Sequence, residues 1–295
     1  MPDIILFTVA KQRILVTGAN GQVGRELREL ADMHPDAIFY FQGREDLPLT
    51  NFEMISTVFH TLQPDVLINC AAYTAVDKAE QEKELAFQVN AKAVSVMAAL
   101  CREHGCRFIH VSTDYVFPGD ASKPYIETDA TGPLNVYGAS KLAGEEQAFA
   151  LNPETIVVRT SWVYASHGKN FVRTMLKLMA ERRAINVVND QLGKPTYAKD
   201  LAGVLLTLAT MKEIAGGIYH FANAGATTWF QFAATIARKI GTSCTVLPVS
   251  SSEFPTPAKR PAYGVLDTAK IEAVAGIRPR SWEEALGECL DKIHQ

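Results

Sequence analysis

The sequence predicts an α/β protein built on a doubly wound parallel sheet, with a smaller α/β region toward its C-terminal end. Three observations carry this expectation. Short β-branched apolar runs alternate with longer helical patterns through the first half, the rhythm of successive right-handed βαβ units. The first apolar run ends in a glycine-rich turn, Gly18-Ala-Asn-Gly21-Gln-Val-Gly24. After Ser161 the rhythm loosens into helices separated by loops rich in Gly, Pro and Thr, which sets a soft boundary between residues 1–160 and 161–295.

Taken in order, Arg13-Ile-Leu-Val-Thr17 is the first strand, and 22–33 repeats apolar residues at helical spacing. Ala37-Ile-Phe-Tyr-Phe41 is the second strand. Residues 51–62 read as a helix closed by Pro64, because proline disfavours helical geometry in the residue before it. Asp65-Val-Leu-Ile-Asn69 is the third strand, and one long helix is expected over 82–104. Arg107-Phe-Ile-His-Val111, a helix over 135–150 and Thr155-Ile-Val-Val-Arg159 complete the first half. Further helices are expected over 171–182, 198–211, 229–240 and 281–293, the last opened by a capping box of Ser281 and Glu284. Ile218-Tyr-His-Phe221 is a candidate strand returning to the main sheet, and 248–261, with four prolines, reads as a loop. Residues 1–10 hold a short apolar run, read as an ordered or frayed segment before the first strand.

Composition narrows the function. Apolar residues make up 47% and charged residues 21%, as in a globular protein with a real core. A net charge of −3 argues against a general nucleic-acid or membrane-surface role. No apolar run reaches the length of a membrane span, and the N-terminus lacks a basic n-region, so a cytoplasmic location is expected. The five cysteines form no CxxC pair and read as buried thiols in a reducing compartment.

The glycine turn follows a strand and opens a helix, the Rossmann-type context for binding a dinucleotide. Gly18 permits the tight turn, Gly21 lets backbone approach a pyrophosphate, and Gly24 lets helix and strand pack closely. Gln22 and Val23 begin the helix, whose N-terminal N–H groups favour phosphate. An acid at the end of the second strand would hold the ribose of NAD. Here the strand ends in Phe41-Gln42-Gly43-Arg44, so Arg44 is expected to meet a 2′-phosphate. NADPH is therefore the expected reductant and NADH the alternative, with Glu45 and Asp46 turned into the next loop.

Tyr137-Gly-Ala-Ser-Lys141 places tyrosine and lysine one turn apart on a helix face. A lysine ammonium there is expected to stabilise the phenolate and lower its pKa. Thr113, in Ser112-Thr-Asp-Tyr115, stands at the C-terminal end of a strand, where it can hydrogen-bond a substrate oxygen. Each feature alone is ordinary; a turn-forming Ser/Thr/Asp cluster and a surface Tyr–Lys pair occur without function.

GxxGxxG, Asn69-Cys-Ala-Ala72, Thr113 and YxxxK together resemble the extended short-chain dehydrogenase/reductases. Ala71-Ala-Tyr-Thr-Ala-Val-Asp-Lys-Ala-Glu80, Ser112-Thr-Asp-Tyr-Val-Phe-Pro-Gly119, Pro133-Leu-Asn-Val-Tyr-Gly138, Arg159-Thr-Ser-Trp-Val-Tyr164, Asn189-Asp-Gln-Leu-Gly-Lys-Pro-Thr196 and Pro257-Ala-Lys-Arg-Pro261 narrow the resemblance to the dTDP-4-dehydrorhamnose reductase family. The resemblance implies reduction of the C4 carbonyl of a dTDP-4-keto-6-deoxy sugar, with residues 161–295 as the substrate-binding region. In that reading Tyr137 protonates the oxygen, Lys141 tunes Tyr137 and holds the nicotinamide ribose, and Thr113 bonds the reacting oxygen. Leu49, Ala71, Ala72, Tyr73 and Thr74 join the cofactor contacts. Thr74, Val76, Asp114, Trp162, Asn170 and Arg260 join the substrate contacts, Trp162 by stacking on the sugar and Arg260 or Asn170 at the diphosphate. Some members of the family bridge two subunits through Mg²⁺ held by glutamates. Glu26 matches one such ligand, but Lys199 stands where another would, so neither Mg²⁺ nor a metal-bridged dimer is expected; the sequence sets no oligomeric state. The alternatives are another nucleotide-sugar epimerase, dehydratase or reductase, and a non-catalytic NADP-binding subunit like the regulatory subunit of methionine adenosyltransferase.

Overall fold

The order of elements is β1 (Gln12–Thr17), α1 (Gln22–Ala31), β2 (Ala37–Gln42), α2 (Phe52–Leu62), β3 (Val66–Asn69), α3 (Val76–Ala79), α4 (Lys83–Phe87), α5 (Ala93–Glu103), β4 (Arg107–Thr113), α6 (Val136–Leu151) and β5 (Ile156–Thr160). The second half adds β6 (Val163–Tyr164), α7 (Phe171–Glu181), β7 (Ala184–Val188), β8 (Leu192–Gly193), β9 (Thr196–Tyr197), α8 (Ala198–Thr210), β10 (Gly217–His220), β11 (Thr227–Thr228), α9 (Trp229–Ile240), β12 (Thr245–Val249), β13 (Tyr263–Gly264), α10 (Ala269–Ala275) and α11 (Trp282–His294). This computed structural model describes residues 11–294, and the segment 1–10 discussed above lies outside them.

Six strands form one parallel sheet in the order β10-β5-β4-β3-β1-β2. Covered on both faces, its central strands read as continuous apolar runs. Ile14, Val16, Ile68, Ile109 and Val158 face one side, where Leu27 of α1 and Leu201, Leu205 and Leu208 of α8 cover them. Leu15, Leu67 and Phe108 face the other, under Ile55 and Phe59 of α2, Val94 and Met97 of α5, and Ala148 of α6. Thus α8 and β10, both beyond residue 160, belong to the main sheet and its cover. A second apolar cluster gathers α7, α9 and α11 with Tyr164, Tyr197 and Ile185. The capping box at Ser281 forms, with Ser281 N donating to Glu284 Oε2 (3.1 Å) and Glu284 N donating to Ser281 Oγ (3.2 Å).

Two expectations change. The helix expected over 82–104 is broken by a π-helical turn, Gln88–Lys92, between α4 and α5. Pro248, expected in a loop, lies in β12, which pairs with β7 alone. A two-stranded ribbon leaves an open edge, where proline's missing N–H costs no ladder bond.

Candidate active site

The C-terminal ends of β1, β3, β4 and β5 open on one edge of the sheet. The strand order reverses between β1 and β3, the switch point where open α/β sheets bind ligands. Gly18 leaves β1 with φ 68°, and a Cβ there would lie 2.7 Å from Ala71 N across that point. A Cβ on Gly24 would lie 2.3 Å from Gly18 O, so α1 rises directly off the turn. Gly21 is the N-cap of α1, with no side chain capping it and no acid in the first turn, which Gln22 and Val23 begin. The free N–H groups and the close backbone form a cradle that fits the pyrophosphate of a dinucleotide.

Arg44 is exposed just past β2. Asp46 folds back to accept from Gly43 N (2.9 Å), which spends its carboxylate in the turn. Leu49, expected as a cofactor contact, is only 7% exposed and packs with Leu15, Leu47 and Ile55, so it is a core residue.

Half-buried Ala71 and Ala72 lead from β3 to Tyr73. Tyr73 N donates to Asn90 Oδ1 (2.8 Å), and Asn90 Nδ2 donates to Tyr73 O (3.0 Å) and to Ser140 Oγ of α6 (2.9 Å). Asn90, in the π turn, was not among the expected residues; a lone asparagine inside a helical pattern gives no signal. Thr74 follows, exposed, and half-buried Val76 opens α3.

Thr113 ends β4. Its hydroxyl donates to Asp114 Oδ1 (3.1 Å) and accepts from Tyr115 N (3.2 Å). Asp114 is buried with Oδ2 unpartnered among the described residues, and burial pushes its carboxyl up to about 7 against the pull of Thr113. Asn135 caps α6 by accepting from Gly138 N (2.8 Å), and Tyr137 then meets Tyr115 edge-on at 5.7 Å. At Gly138 the helix presses on the turn after β4, since a Cβ there would lie 2.2 Å from Tyr115 O. Lys141 is buried, donates to Val111 O (2.6 Å) and stands 3.2 Å from His110 Nε2. The expected lowering of the Tyr137 pKa by Lys141 does not appear: burial pushes the phenol up to about 12, and the opposing pull comes from Thr113. The Lys141 ammonium is directed at Val111 O of β4.

Trp162 adopts φ 47°, strained for a residue with a side chain. Its ring stacks on Trp229 with centroids 3.6 Å apart, and Gly193 abuts it. One indole face is therefore taken, and stacking on a sugar must use the other. Trp229 was not among the expected residues.

Asn170 caps α7 by accepting from Arg173 N (3.1 Å), and its amide donates to Gln22 Oε1 (2.9 Å) and Ala165 O (2.9 Å). Both amide ends are engaged, so Asn170 ties the glycine turn to α7 rather than presenting a spare donor to a diphosphate. Arg260 makes a two-pronged pair with Asp77 (2.8 and 2.9 Å), whose carboxyl it holds below the usual carboxylate range. The same segment is fastened to α6, because Asn135 Nδ2 donates to Lys259 O (2.9 Å).

Glu26, Glu29 and His167 bring ligand atoms within 4.8 Å of one another. They do not fit a divalent cation, because the Lys292 ammonium already pairs with Glu29 and stands 3.5 Å from Glu26 Oε2. Glu26 Oε1 is 3.0 Å from His167 Nε2. Lys199 is not in this group; it pairs with Glu288 at 2.6 Å, and Asp200 is held by Arg280.

A family profile described as RmlD substrate binding domain matches residues 12–295. The chain is 43% identical to the dTDP-4-dehydrorhamnose reductase of Burkholderia thailandensis, over 94% of this chain and 98% of that one. A crystal structure of a dTDP-4-dehydrorhamnose reductase from Clostridium acetobutylicum superposes with a TM-score of 0.92 at 40% identity, covering 96% of this chain and 100% of that one. The enzyme from Bacillus anthracis, solved in complex with NADP, gives 0.91 at 38% identity over 96% and 99% of the two chains.

Proposed function

The chain belongs to the dTDP-4-dehydrorhamnose reductase family, and from that premise we propose how its residues divide the reaction. The function is NADPH-dependent reduction of dTDP-4-dehydrorhamnose at C4 to dTDP-rhamnose. The nicotinamide, when bound, supplies the hydride. The glycine turn and the N-terminus of α1 hold the pyrophosphate, and Arg44 faces the 2′-phosphate. Ala71, Ala72, Tyr73 and Thr74 border the nicotinamide end, fastened from behind by Asn90. Thr113 orients the substrate oxygen and Tyr137 gives it a proton. Trp162 lies against the sugar by the face that Trp229 does not cover, beside Val76 and Asp114. Arg260, fixed by Asp77, lends positive charge to the diphosphate end, and Asn170 positions the glycine turn. A cytoplasmic location belongs to the same proposal, since the reactants are a nucleotide sugar and a reduced nicotinamide.

The observation that carries this division is the meeting of Thr113, Tyr115 and Tyr137 past the end of β4, with Lys141 one turn further on α6. A buried phenol held at about 12 stays protonated at neutral pH, the state a proton donor needs. The test is loss of reduced-nicotinamide absorbance on mixing protein, NADPH and the dTDP-4-keto sugar. Tyr137→Phe is expected to bind NADPH normally and to lose turnover about a hundred- to ten-thousand-fold. Near-native turnover in that variant would remove Tyr137 from the mechanism, and no turnover in the native chain would remove the function.

A further inference from the structure

The chain just past Thr113 closes around one phenol that the division above does not use. Gly119, Asp120 and Ala121 turn three successive backbone N–H groups to a single point, and all three donate to the Tyr125 hydroxyl oxygen, at 3.0, 3.2 and 3.3 Å. A concavity of consecutive N–H groups ordinarily suits an anion. Here the chain fills it with its own side chain, 4% exposed and stacked on Phe117 with ring centroids 4.2 Å apart.

What this loop touches gives it a use. Gly119 has φ 78°, and a Cβ there would lie 2.3 Å from Pro261 Cβ, so the bare turn is pressed against the residue after Arg260. From there the two segments are laced together. Tyr263 N donates to Gly119 O (3.0 Å), Tyr125 N donates to Val265 O (2.9 Å), and Asp267 N donates to Tyr125 O (2.8 Å). Between these bonds Gly264 lies against the turn after β4, since a Cβ on it would stand 2.5 Å from Asp114 Oδ2. The loop is tied to the main sheet as well, with His220 N of β10 donating to Glu127 Oε1 (3.0 Å).

We propose that Tyr125 is a positioning residue for Arg260: by gathering the three amides it fixes the segment that follows Arg260 against the turn that carries Thr113, and so sets the distance between the diphosphate end of the site and the reacting oxygen. This rests on the roles given above to Arg260 and Thr113. The substrate makes that distance matter. A nucleotide sugar is one covalent body, with its diphosphate on the anomeric carbon and its carbonyl across the ring at C4. Charge at the diphosphate end helps the reaction only if the carbonyl then lies at Thr113 and Tyr137, because binding far from the bond that changes acts by orienting it. From its other side Arg260 is steadied by Asp77 of α3 and, through Lys259, by Asn135. Tyr125 supplies the remaining fastening, the one made to the turn after β4.

Tyr125→Phe keeps the ring and its stack and removes only the oxygen. A double-mutant cycle with Arg260→Ala reads the link, because the effects of residues that act through one another do not add. Each single variant is expected to lower kcat/KM for the dTDP-4-keto sugar, and to weaken dTDP binding by calorimetry, about tenfold, with NADPH affinity unchanged. The double variant is expected to lose little more than either one alone. Losses that multiply to about a hundredfold would make Tyr125 structural only and overturn the proposal, as would a fall in NADPH affinity when the oxygen is removed. Amide exchange in the native chain decides the matter without a variant. Gly119, Asp120 and Ala121 are expected to exchange as one unit with Tyr263 and Asp267, and rapid exchange of the three alone would overturn the proposal. If the native chain reduces no dTDP-4-keto sugar but the cycle holds for dTDP binding, the reaction fails and the positioning stands.

Discussion

Asp114 shows how a single residue couples burial to pH. The folded chain keeps its proton up to about 7, whereas the ordinary value is 3.8. Between those values the folded state binds a proton that the unfolded state has lost, so stability is greatest below the window and falls as pH rises through it. A shift of that size corresponds to roughly 4 kcal/mol as an upper bound. Asp114→Asn should therefore melt higher than the native chain at about pH 8, with the gap closing toward about pH 4. A gap that does not vary with pH would mean that Asp114 is ionised throughout. Arg44 is the residue that separates the two reductants. Arg44→Ala should raise the KM for NADPH roughly tenfold, about the loss of one charge-assisted hydrogen bond, and the KM for NADH far less. Equal effects on both would place the 2′-phosphate elsewhere.

At the scale of elements, the π turn between α4 and α5 is what presents Asn90 to the loop after β3 and to Ser140 of α6. Asn90→Ala strands the Tyr73 N–H in a partly buried place, at a cost of about 1–3 kcal/mol. Urea unfolding should show that loss, and turnover should fall with it because Tyr73 and Thr74 lose their support. Unchanged turnover would detach Asn90 from the site. The parallel strands were legible because both of their faces are buried, so runs such as Ile14–Val16 carry no alternation to misread. The glycine turn, Thr113, Tyr137 and Lys141 were legible because their spacing is local. The π turn was not, since one extra residue hardly disturbs a helical period. Neither was the Arg260–Asp77 pair, whose members are 183 positions apart, nor the Trp162 stack, which depends on a backbone angle that no residue type announces. The shift of the Tyr137 pKa was not legible for a related reason: helical spacing brings two side chains to one face, but burial sets the phenol and the carbonyl of Val111 takes the ammonium.

Across the whole molecule, the Lys292 ammonium answers the charge of Glu26 and Glu29. Mg²⁺ requires near-octahedral oxygen ligands and does not share a shell with an ammonium. Turnover should survive EDTA, and the mass in solution by light scattering should not respond to Mg²⁺. Mg²⁺-dependent dimerisation would show that Lys292 swings away from the glutamates. The Trp162–Trp229 stack carries a consequence of a different kind. Of the three tryptophans of the chain, Trp229 and Trp282 belong to the second apolar cluster, and Trp162 stacks on Trp229 at its border. The two apolar cores of the six-stranded sheet hold no tryptophan and are therefore dark to tryptophan emission. Fluorescence reports on the second cluster, and the two stacked indoles give circular dichroism an exciton signal that vanishes when that cluster loosens.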